Sequence, residues 1–413
     1  MLLWSATTAS MLGSFITRTA LPFAAILVLG AGATEVAALR AAELIAGLLL
    51  GLVAGAWVDR QRRRPVMIRA DIGRAILLGS VPVAFAFGVL GLAQLVVVAF
   101  GTAVLTTFFD VADRAFLPSV IGRERLVQAN ATLTASSSAA EFVGFGAGGW
   151  IIQLLTAPVA IALDAMSFVA SAVLIRGIRR REPPPRAVAE RRSVVTEIGD
   201  GLRRTMRDPI LRPLALADAT VGIFWGIYGA VFLVFATELG FEPGTIGLLA
   251  AFGGLASVGG AIVAGRAVRR LGAGRFLVLA MLVAAVGNTS LPFAPDAALL
   301  GLLCLLFQQL VHDSAITAFD VVAVSIRQAT VEDRLLGRVG ASMHMLALLF
   351  QLAGTLLGAL VAEAFGLRAA VALAAVGGFA APVIVWFSAA RRLQAVPLAT
   401  APLEEVPDVP RTE

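Results

Sequence analysis

The chain has 413 residues, of which 59% are hydrophobic and only 15% are charged, and its mean hydropathy is +0.89. Because a soluble domain carries about 25% charged residues, this composition excludes a water-soluble globular protein and indicates an all-α membrane protein. All 33 basic residues are arginines, yet the formal charge of +6 does not indicate a nucleic-acid partner, since the arginines cluster at alternate ends of apolar segments.

Apolar runs of membrane-spanning length, roughly 20 residues, follow one another along most of the chain. The pattern predicts twelve transmembrane helices, at residues 8–30, 35–57, 66–90, 93–116, 129–153, 157–178, 212–236, 244–267, 275–293, 298–322, 338–362 and 368–390. Connections after even-numbered spans carry nearly all the arginines, so both termini are predicted to be cytoplasmic. The absence of lysine is typical of a GC-rich bacterial genome, and the expected location is the bacterial inner membrane.

The connection between the second and third spans contains one acidic residue, Asp59, among four arginines. Anchoring by positive charge explains the arginines but not the acid. A carboxylate that pairs with guanidinium groups and caps a facing helix in one state would hold the cytoplasmic side closed. The candidate gating motif comprises Gly55, Asp59, Arg60, Arg63 and Arg64, with Asp113 near the same level.

The segment 179–211 differs from every other connection. It opens with Arg-Arg-Arg-Glu-Pro-Pro-Pro, which predicts a stiff, exposed linker. Apolar residues then recur at helical spacing between charges from Val194 to Met206, which predicts an amphipathic helix on the inner membrane surface. This linker separates a bundle at 1–178 from a bundle at 212–392, and the tail 393–413 is predicted to be disordered.

The two halves of the chain repeat one another at an offset of 210 residues. The offset places Phe109-Asp110-Val111 on Phe319-Asp320-Val321, Glu141 on Gln351, and Gly144 and Gly148 on Gly354 and Gly358. A parallel repeat of six spans predicts two six-helix bundles that bind substrate between them near the midplane, with alternating access by rocking of one bundle against the other.

Several motifs resemble those of a known family. Gly55-x-x-x-Asp59-Arg60-x-x-Arg63-Arg64 resembles the motif between the second and third spans of the major facilitator superfamily, with Arg62 where many members have glycine. The run Gly144–Gly149 is similar to the fifth-helix motif of drug:proton antiporters, with Phe145 in place of the usual proline. Gly144, Gly148 and Gly149 are expected to let helix backbones approach closely, which ordinary packing also explains.

The runs 108–110, 117–118, 128–130 and 164–168 resemble the macrolide-efflux and enterobactin-exporter branch of the same superfamily. The resemblance covers nearly the whole chain. It implies a twelve-helix major facilitator fold and export of bulky compounds driven by a proton gradient, and it does not indicate the substrate.

Charged side chains deep in a bilayer are costly and usually functional. Glu141 is the first candidate for proton coupling, because a buried carboxyl group can exchange a proton for a bound cation. The alternative is a structural ion pair between Arg18 and Glu141. Asp110, His312 and Asp313 are further candidates, and the last two point about 100° apart on one helix.

Aromatic residues on spans 4, 7 and 10 suggest a substrate-binding wall, since aromatic surfaces suit bulky amphipathic ligands of varied shape. Helix packing would use the same residues. Arg18 in the first span is the repeat mate of Tyr228. The candidate substrate contacts are Arg18, Phe109, Trp225, Tyr228, Phe307 and Gln308.

Motifs of zinc proteases, α/β-hydrolases and P-loop ATPases do not occur in the sequence, so no enzyme is predicted. Cys304 is the only cysteine and the two histidines lie on different spans, so neither a metal nor a cofactor is expected.

The first hypothesis is a monomeric antiporter in the lipid bilayer whose partners are protons and an amphipathic small molecule. The alternatives are a dedicated siderophore or metabolite exporter, a solute symporter, and a non-transporting receptor.

Overall fold

The structure is a computed structural model that describes residues 2–51, 53–58, 60–121, 126–178 and 194–395, apart from the side chains of 56, 118–131, 194–195 and 333–334. Asp59, residues 179–193 of the predicted linker and the tail from 396 lie outside this range. The described part is helical and contains no strand.

The first half contains seven helices. They are α1 (Leu2–Phe23), which continues as a π-helical turn (Ala24–Val28), α2 (Ala33–Leu50), α3 (Val53–Val58), α4 (Arg63–Ala86), α5 (Leu92–Ile121), α6 (Leu126–Leu154) and α7 (Ala157–Arg176). The second predicted span is divided between α2 and α3, and the others each correspond to one helix.

The second half begins with α8 (Val194–Arg207), the predicted amphipathic helix. The remaining helices are α9 (Leu211–Glu238), α10 (Pro243–Leu271), α11 (Ala273–Asn288) with a short 3-10 turn (Leu291–Phe293), α12 (Leu299–Thr330), α13 (Asp333–Phe365), α14 (Leu367–Gly377) and α15 (Ala380–Trp386). The last predicted span is divided between α14 and α15, where Gly378 and Phe379 interrupt the helix.

Nine of the described helical segments are long and apolar enough to cross a membrane. The predicted second, third and fifth spans fall outside that set for local reasons. Helix α2 carries Glu35, Arg40 and Glu43, α4 carries several charged residues, and α6 contains a serine run beside Glu141. All twelve predicted spans are nevertheless present as helices, so the predicted all-α, twelve-helix fold is confirmed.

The helices form two bundles. In the first bundle α1 packs against α6 and α7, and α4 packs against α5 and α7. In the second bundle α9 packs against α13, α14 and α15, and α12 packs against α10 and α11. The bundles meet where α6 packs on α10 and where α2 packs on α13.

Glycines allow close helix contacts at equivalent positions in the two halves, between α6 and α1 and between α13 and α9. Gly148 of α6 lies against Ile16 of α1, and its repeat mate Gly358 of α13 lies against Ile227 of α9. A Cβ atom at Gly148 would stand 3.3 Å from Cα of Ile16, and one at Gly358 would stand 2.9 Å from Cα of Ile227. Small residues therefore bring equivalent helices together in each bundle.

The two ends of the molecule differ. At the end that carries the arginine-rich connections, called here the arginine-rich end, each bundle has its own apolar core. At the opposite, arginine-poor end, one core contains residues of both bundles, including Leu21 and Ile227. The bundles are therefore joined at the arginine-poor end and separate at the other.

Polar contacts between the bundles also lie at the arginine-poor end. Gln153, near the end of α6, donates a hydrogen bond to Glu242 and accepts one from the backbone N–H of Gly244 at 3.0 Å. Thr34 donates to Glu363 at 3.4 Å and links α2 to α13.

Helix α8 packs against the second bundle. Arg338 of α13 forms an ion pair with Glu197 at 3.0 Å, and the hydroxyl of Ser342 donates to the carbonyl of Ile198 at 3.0 Å. Met206 packs on the apolar cluster that contains Val339. The prediction placed this helix on the membrane surface, whereas in the structure part of its surface is covered by α13.

Candidate functional site

A cavity of about 640 Å³ lies between the two bundles. Ten helices contribute to its wall, namely α1, α2, α4, α5, α6, α7, α9, α10, α12 and α13. Its volume falls within the range of roughly 300–1,000 Å³ that is usual for small-molecule sites. The cavity is therefore large enough to hold a small organic molecule between the bundles.

The first bundle supplies most of the charges in the cavity wall. Arg40 and Glu43 form an ion pair at 3.1 Å, at the i, i+3 spacing expected from the sequence. The other charged residues of this wall are Arg18, Arg74, Glu141 and Asp164.

The second bundle supplies an aromatic wall with few charges. Trp225 stacks on Tyr228 with ring centroids 5.2 Å apart, and Tyr228 stacks on Phe232 at 4.5 Å. Asp313 is a charged residue on this side, and its Oδ2 accepts a hydrogen bond from Gln309 at 2.7 Å. A ligand in the cavity would therefore meet charges on one side and stacked rings on the other.

Glu141 and Asp313 face the same cavity from α6 and α12. Arg18 projects into the cavity from α1 and is exposed there. Arg18 is near enough to Glu141 for an electrostatic interaction, but no ion pair joins them in the described ranges. The structure thus brings together three of the predicted site residues without the fixed pair that was the structural alternative.

His312 faces away from this cavity. It is 5% exposed, stacks on Trp225 at 5.6 Å, and its Nδ1 lies 3.2 Å from the carbonyl oxygen of Ala284. Because a carbonyl can only accept, Nδ1 carries the proton and Nε2 is left as an acceptor. Nε2 has no partner among the described residues. His312 lines a smaller chamber of about 30 Å³ inside the second bundle.

Trp225 and Tyr228 line both the central cavity and this smaller chamber, so they separate the two. The hydroxyl of Tyr228 donates to Gln308 at 3.4 Å, and Gln308 donates to Asn288 at 3.2 Å. Gln308 is 1% exposed. It therefore holds the aromatic wall from behind, rather than lining the cavity as the sequence predicted.

Two further predicted substrate contacts lie elsewhere. Phe307 is 45% exposed and lines neither chamber, because it points to another face of α12 than its neighbour Gln308. Phe109 is 3% exposed and packs in the core of the first bundle beneath Arg74. Hydropathy places such residues on a span, but it does not resolve which face of the helix meets the cavity.

The acids near the arginine-rich end of α5 lie outside the cavity. Asp110 is exposed and lines neither chamber. Asp113 is half-buried, and its Oδ1 has no hydrogen-bond partner within the described part of the chain.

Within the described part of the gating motif, Arg64 caps the end of helix α7. Arg64 donates to the carbonyl of Ile175 at 3.1 Å and to that of Arg176, which are the last carbonyls of α7. Arg60 is exposed and Gly55 lies in open space. These contacts lie within the first bundle, and the part assigned to Asp59 falls outside the described residues.

The sequence missed one pair of charged residues. Asp71 and Arg74 lie within the third predicted span, 66–90, and were not among the candidate site residues. In the structure α4 begins at Arg63, and Arg74 lies inside it, 2% exposed and hydrogen-bonded to the fully buried Asp71. The i, i+3 spacing of an acid and an arginine within an otherwise apolar run was the available signal.

Comparison with known proteins places the chain in a family. The model of the Major Facilitator Superfamily matches residues 3–311 and 214–410. The multidrug efflux pump Tap of Mycolicibacterium fortuitum is 30% identical over 392 residues, which cover 89% of this chain and 90% of the pump. An uncharacterised MFS-type transporter, y4rN of Sinorhizobium fredii, is 28% identical over 229 residues, which cover 55% of each chain.

Solved structures show the same fold. The nucleoside transporter NupG (D323A mutant) superimposes with a TM-score of 0.76 at 12% identity, over 94% of this chain and 99% of NupG. A bacterial homologue of the iron transporter ferroportin, in an inward-facing state, gives a TM-score of 0.69 at 19% identity, over 92% and 98% of the two chains. With the two-bundle architecture, the central cavity and these matches, the chain belongs to the major facilitator superfamily.

Proposed function

We propose that the protein is a proton-coupled exporter of bulky amphipathic small molecules, working by alternating access in a bacterial inner membrane with both termini in the cytoplasm. The observation that carries this proposal is the central cavity, whose charged wall faces a stacked aromatic wall. Such a site suits a compound with a polar or cationic part and a flat apolar part. The similarity to a multidrug efflux pump along most of the chain supports the direction of transport.

In this proposal the arginine-rich end faces the cytoplasm, and the structure corresponds to the conformation that loads substrate from that side. A cationic compound binds between Trp225 and the carboxylate of Glu141, both of which line the cavity. When the cavity opens to the other side, a proton binds the carboxylate and the compound leaves.

Transport by inverted vesicles tests the proposal. A panel of fluorescent cationic dyes should accumulate in wild-type vesicles when a proton gradient is imposed, and collapse of the gradient should release the dyes. Glu141→Gln should bind cationic dye more weakly and lose proton-driven accumulation, because the amide carries no negative charge and cannot exchange a proton. Glu238→Gln is the matched control, since Glu238 is exposed at the end of α9 and does not line the cavity.

The alternatives predict different results. A dedicated metabolite exporter should show no accumulation of any dye, while its natural compound should move under the same gradient. A symporter should carry protons and solute in the same direction. A receptor should transport nothing and should tolerate Glu141→Gln, so any of these outcomes would replace the proposal.

A further inference from the structure

A cluster of buried polar side chains extends from the charged wall of the cavity into the first bundle. Asp71 and Arg74 of α4 and Asp164 and Ser171 of α7 are each at most 2% exposed. Each has one buried atom without a hydrogen-bond partner in the described structure, namely Oδ2 of Asp71, Nε of Arg74, Oδ2 of Asp164 and Oγ of Ser171. Since the hydroxyl of Ser171 lies beside Asp71, neutral donors stand next to the buried carboxyl groups, and Arg74 supplies the positive charge.

Arg74 is held in a fixed position. Its guanidinium carbon lies 4.4 Å from the ring centre of Phe109 and 4.1 Å from that of Phe168, so two aromatic faces enclose it. It donates a hydrogen bond to Oδ1 of Asp71 and a longer one, at 3.4 Å, to Thr106. The positive charge therefore stays beside Asp71.

The charges of the cluster do not balance. Asp71 is paired with Arg74, whereas the hydrogen bond that reaches Asp164 comes from the neutral hydroxyl of Ser167 at 3.0 Å. From α5, Asp110 lies within electrostatic range of Arg74 and Asp113 within range of Asp71, and Arg114 lies within range of both acids. From α1, the hydroxyl of Thr17 lies beside Asp164. A buried carboxylate without a counter-ion is strongly destabilising, so a second positive charge is required.

We propose that Asp71, Arg74 and Asp164 form a proton-binding site in which Arg74 neutralises one carboxylate and an exchangeable proton neutralises the other. The proton forms an O–H bond at Oδ2 of Asp164, and its release to water leaves the carboxylate. Arg74 and Asp164 line the central cavity whereas Asp71 does not, so the exchange takes place with water in the cavity. The site deepens the proposed proton-coupled function and is separate from Glu141.

Infrared difference spectroscopy of the full-length protein in lipid nanodiscs tests the site without any substrate. Lowering the pH across the neutral range should produce the C=O stretching band of a buried carboxylic acid, and Asp164→Asn should remove this band. Asp71→Asn should remove it too, because the remaining carboxylate then pairs with Arg74. Arg74→Gln should add a second such band, because neither carboxylate keeps its counter-ion.

If the variants that remove a charge do not fold, Ser167→Ala provides a second test of the site. Loss of its hydrogen bond to Oδ1 of Asp164 should move the band to higher frequency without removing it. Glu141→Gln should keep the band, so a failure of proton-driven transport would not by itself count against this site. The assignment is overturned if the band survives Asp164→Asn, or if it does not move in Ser167→Ala. Loss of the band with sodium chloride but not choline chloride, at fixed pH, would instead assign the site to sodium.

Discussion

Trp225 and Tyr228 are the predicted substrate residues that line both chambers, and Trp225 also stacks on His312. We expect Trp225→Ala to weaken binding of an aromatic cationic dye about tenfold, because an aromatic pair contributes roughly 0.5–1.5 kcal/mol beyond its buried area and about 1.4 kcal/mol is tenfold in affinity. Dye fluorescence anisotropy measures this loss.

Trp386→Ala is the matched control, because Trp386 packs on Arg391 and lines neither chamber. Equal losses of affinity in both variants would show that Trp225 acts through general stability rather than through the site.

Arg64 offers a second test at the level of one side chain. Its hydrogen bonds to the carbonyls of Ile175 and Arg176 satisfy the end of α7. Arg64→Ala should lower the free energy of unfolding by about 1–2 kcal/mol, since hydrogen bonds of charged donors contribute in this range. Thermal unfolding in detergent measures the loss.

Arg60→Ala should leave the unfolding temperature unchanged, because the side chain of Arg60 is exposed. If Arg64→Ala abolishes transport at unchanged stability, the gating hypothesis for this residue is favoured over a role in capping α7.

For single residues, the sequence predicted which residue types are candidates better than it predicted which way their side chains point. Glu141, Arg18 and Asp313 were found because charges are rare in apolar runs, and all three line the cavity. Phe307 and Gln308 were misplaced, because neighbouring residues on a helix point about 100° apart and the apolar environment is lipid on one side and protein on the other. Arg74 was missed because hydropathy does not show that it meets Asp71 inside the first bundle.

Between helices, the approach of α6 to α10 depends on the absence of side chains. A Cβ atom at Gly149 would stand 2.9 Å from Cα of Gly247. Gly149→Ala should therefore destabilise the protein by about 1–3 kcal/mol, because backbones must separate to admit the methyl group.

Gly79→Ala is the matched control, since a Cβ atom at Gly79 would have no neighbour within 4 Å. It should be neutral or stabilising by up to about 1 kcal/mol, as alanine favours the helix. Thermal unfolding should show a clearly lower stability for Gly149→Ala than for Gly79→Ala. An equal loss of stability in the two variants would refute the packing role of Gly149.

The helices themselves were largely predictable, because length and hydropathy are imposed by the bilayer. Their ends were less so. The tenth predicted span ended at 322, whereas α12 continues to Thr330. A helix can remain folded beyond the apolar region, where hydropathy no longer detects it. The interruptions in the second and last spans arise from local backbone geometry, which a hydropathy window averages away.

For the molecule as a whole, the joined arginine-poor end should have to open for transport. A disulfide between Gln153→Cys and Gly244→Cys, in a Cys304→Ala background, should abolish transport until it is reduced. These residues face each other across the bundles through a hydrogen bond of 3.0 Å. Dye accumulation before and after reduction measures the effect.

A cross-link within one bundle is the control. Ser80→Cys with Gln94→Cys joins α4 to α5, where the wild-type side chains are 3.1 Å apart, and it should permit transport. Full transport by the oxidised Gln153–Gly244 variant would show that this end does not open in the cycle.

The two-bundle architecture followed from the repeat at an offset of 210 residues, because equivalent glycines make equivalent helix contacts in each half. The repeat did not predict which residues line the cavity. These residues depend on which helices lie at the interface between the bundles and on how each helix is rotated about its axis. Neither is encoded by a periodicity within one helix.

The apolar core that both bundles share at the arginine-poor end also gives the transport cycle a heat-capacity signature. Opening that end would bring residues such as Leu21 and Ile227, now 2% and 0% exposed, into contact with water. Exposure of apolar surface to water raises the heat capacity, so the free energy that separates the two conformations curves with temperature. Because hydrophobic association weakens on cooling, cold should weaken this closed contact, and the apolar surface buried when the arginine-rich end closes in the same motion should offset part of the shift.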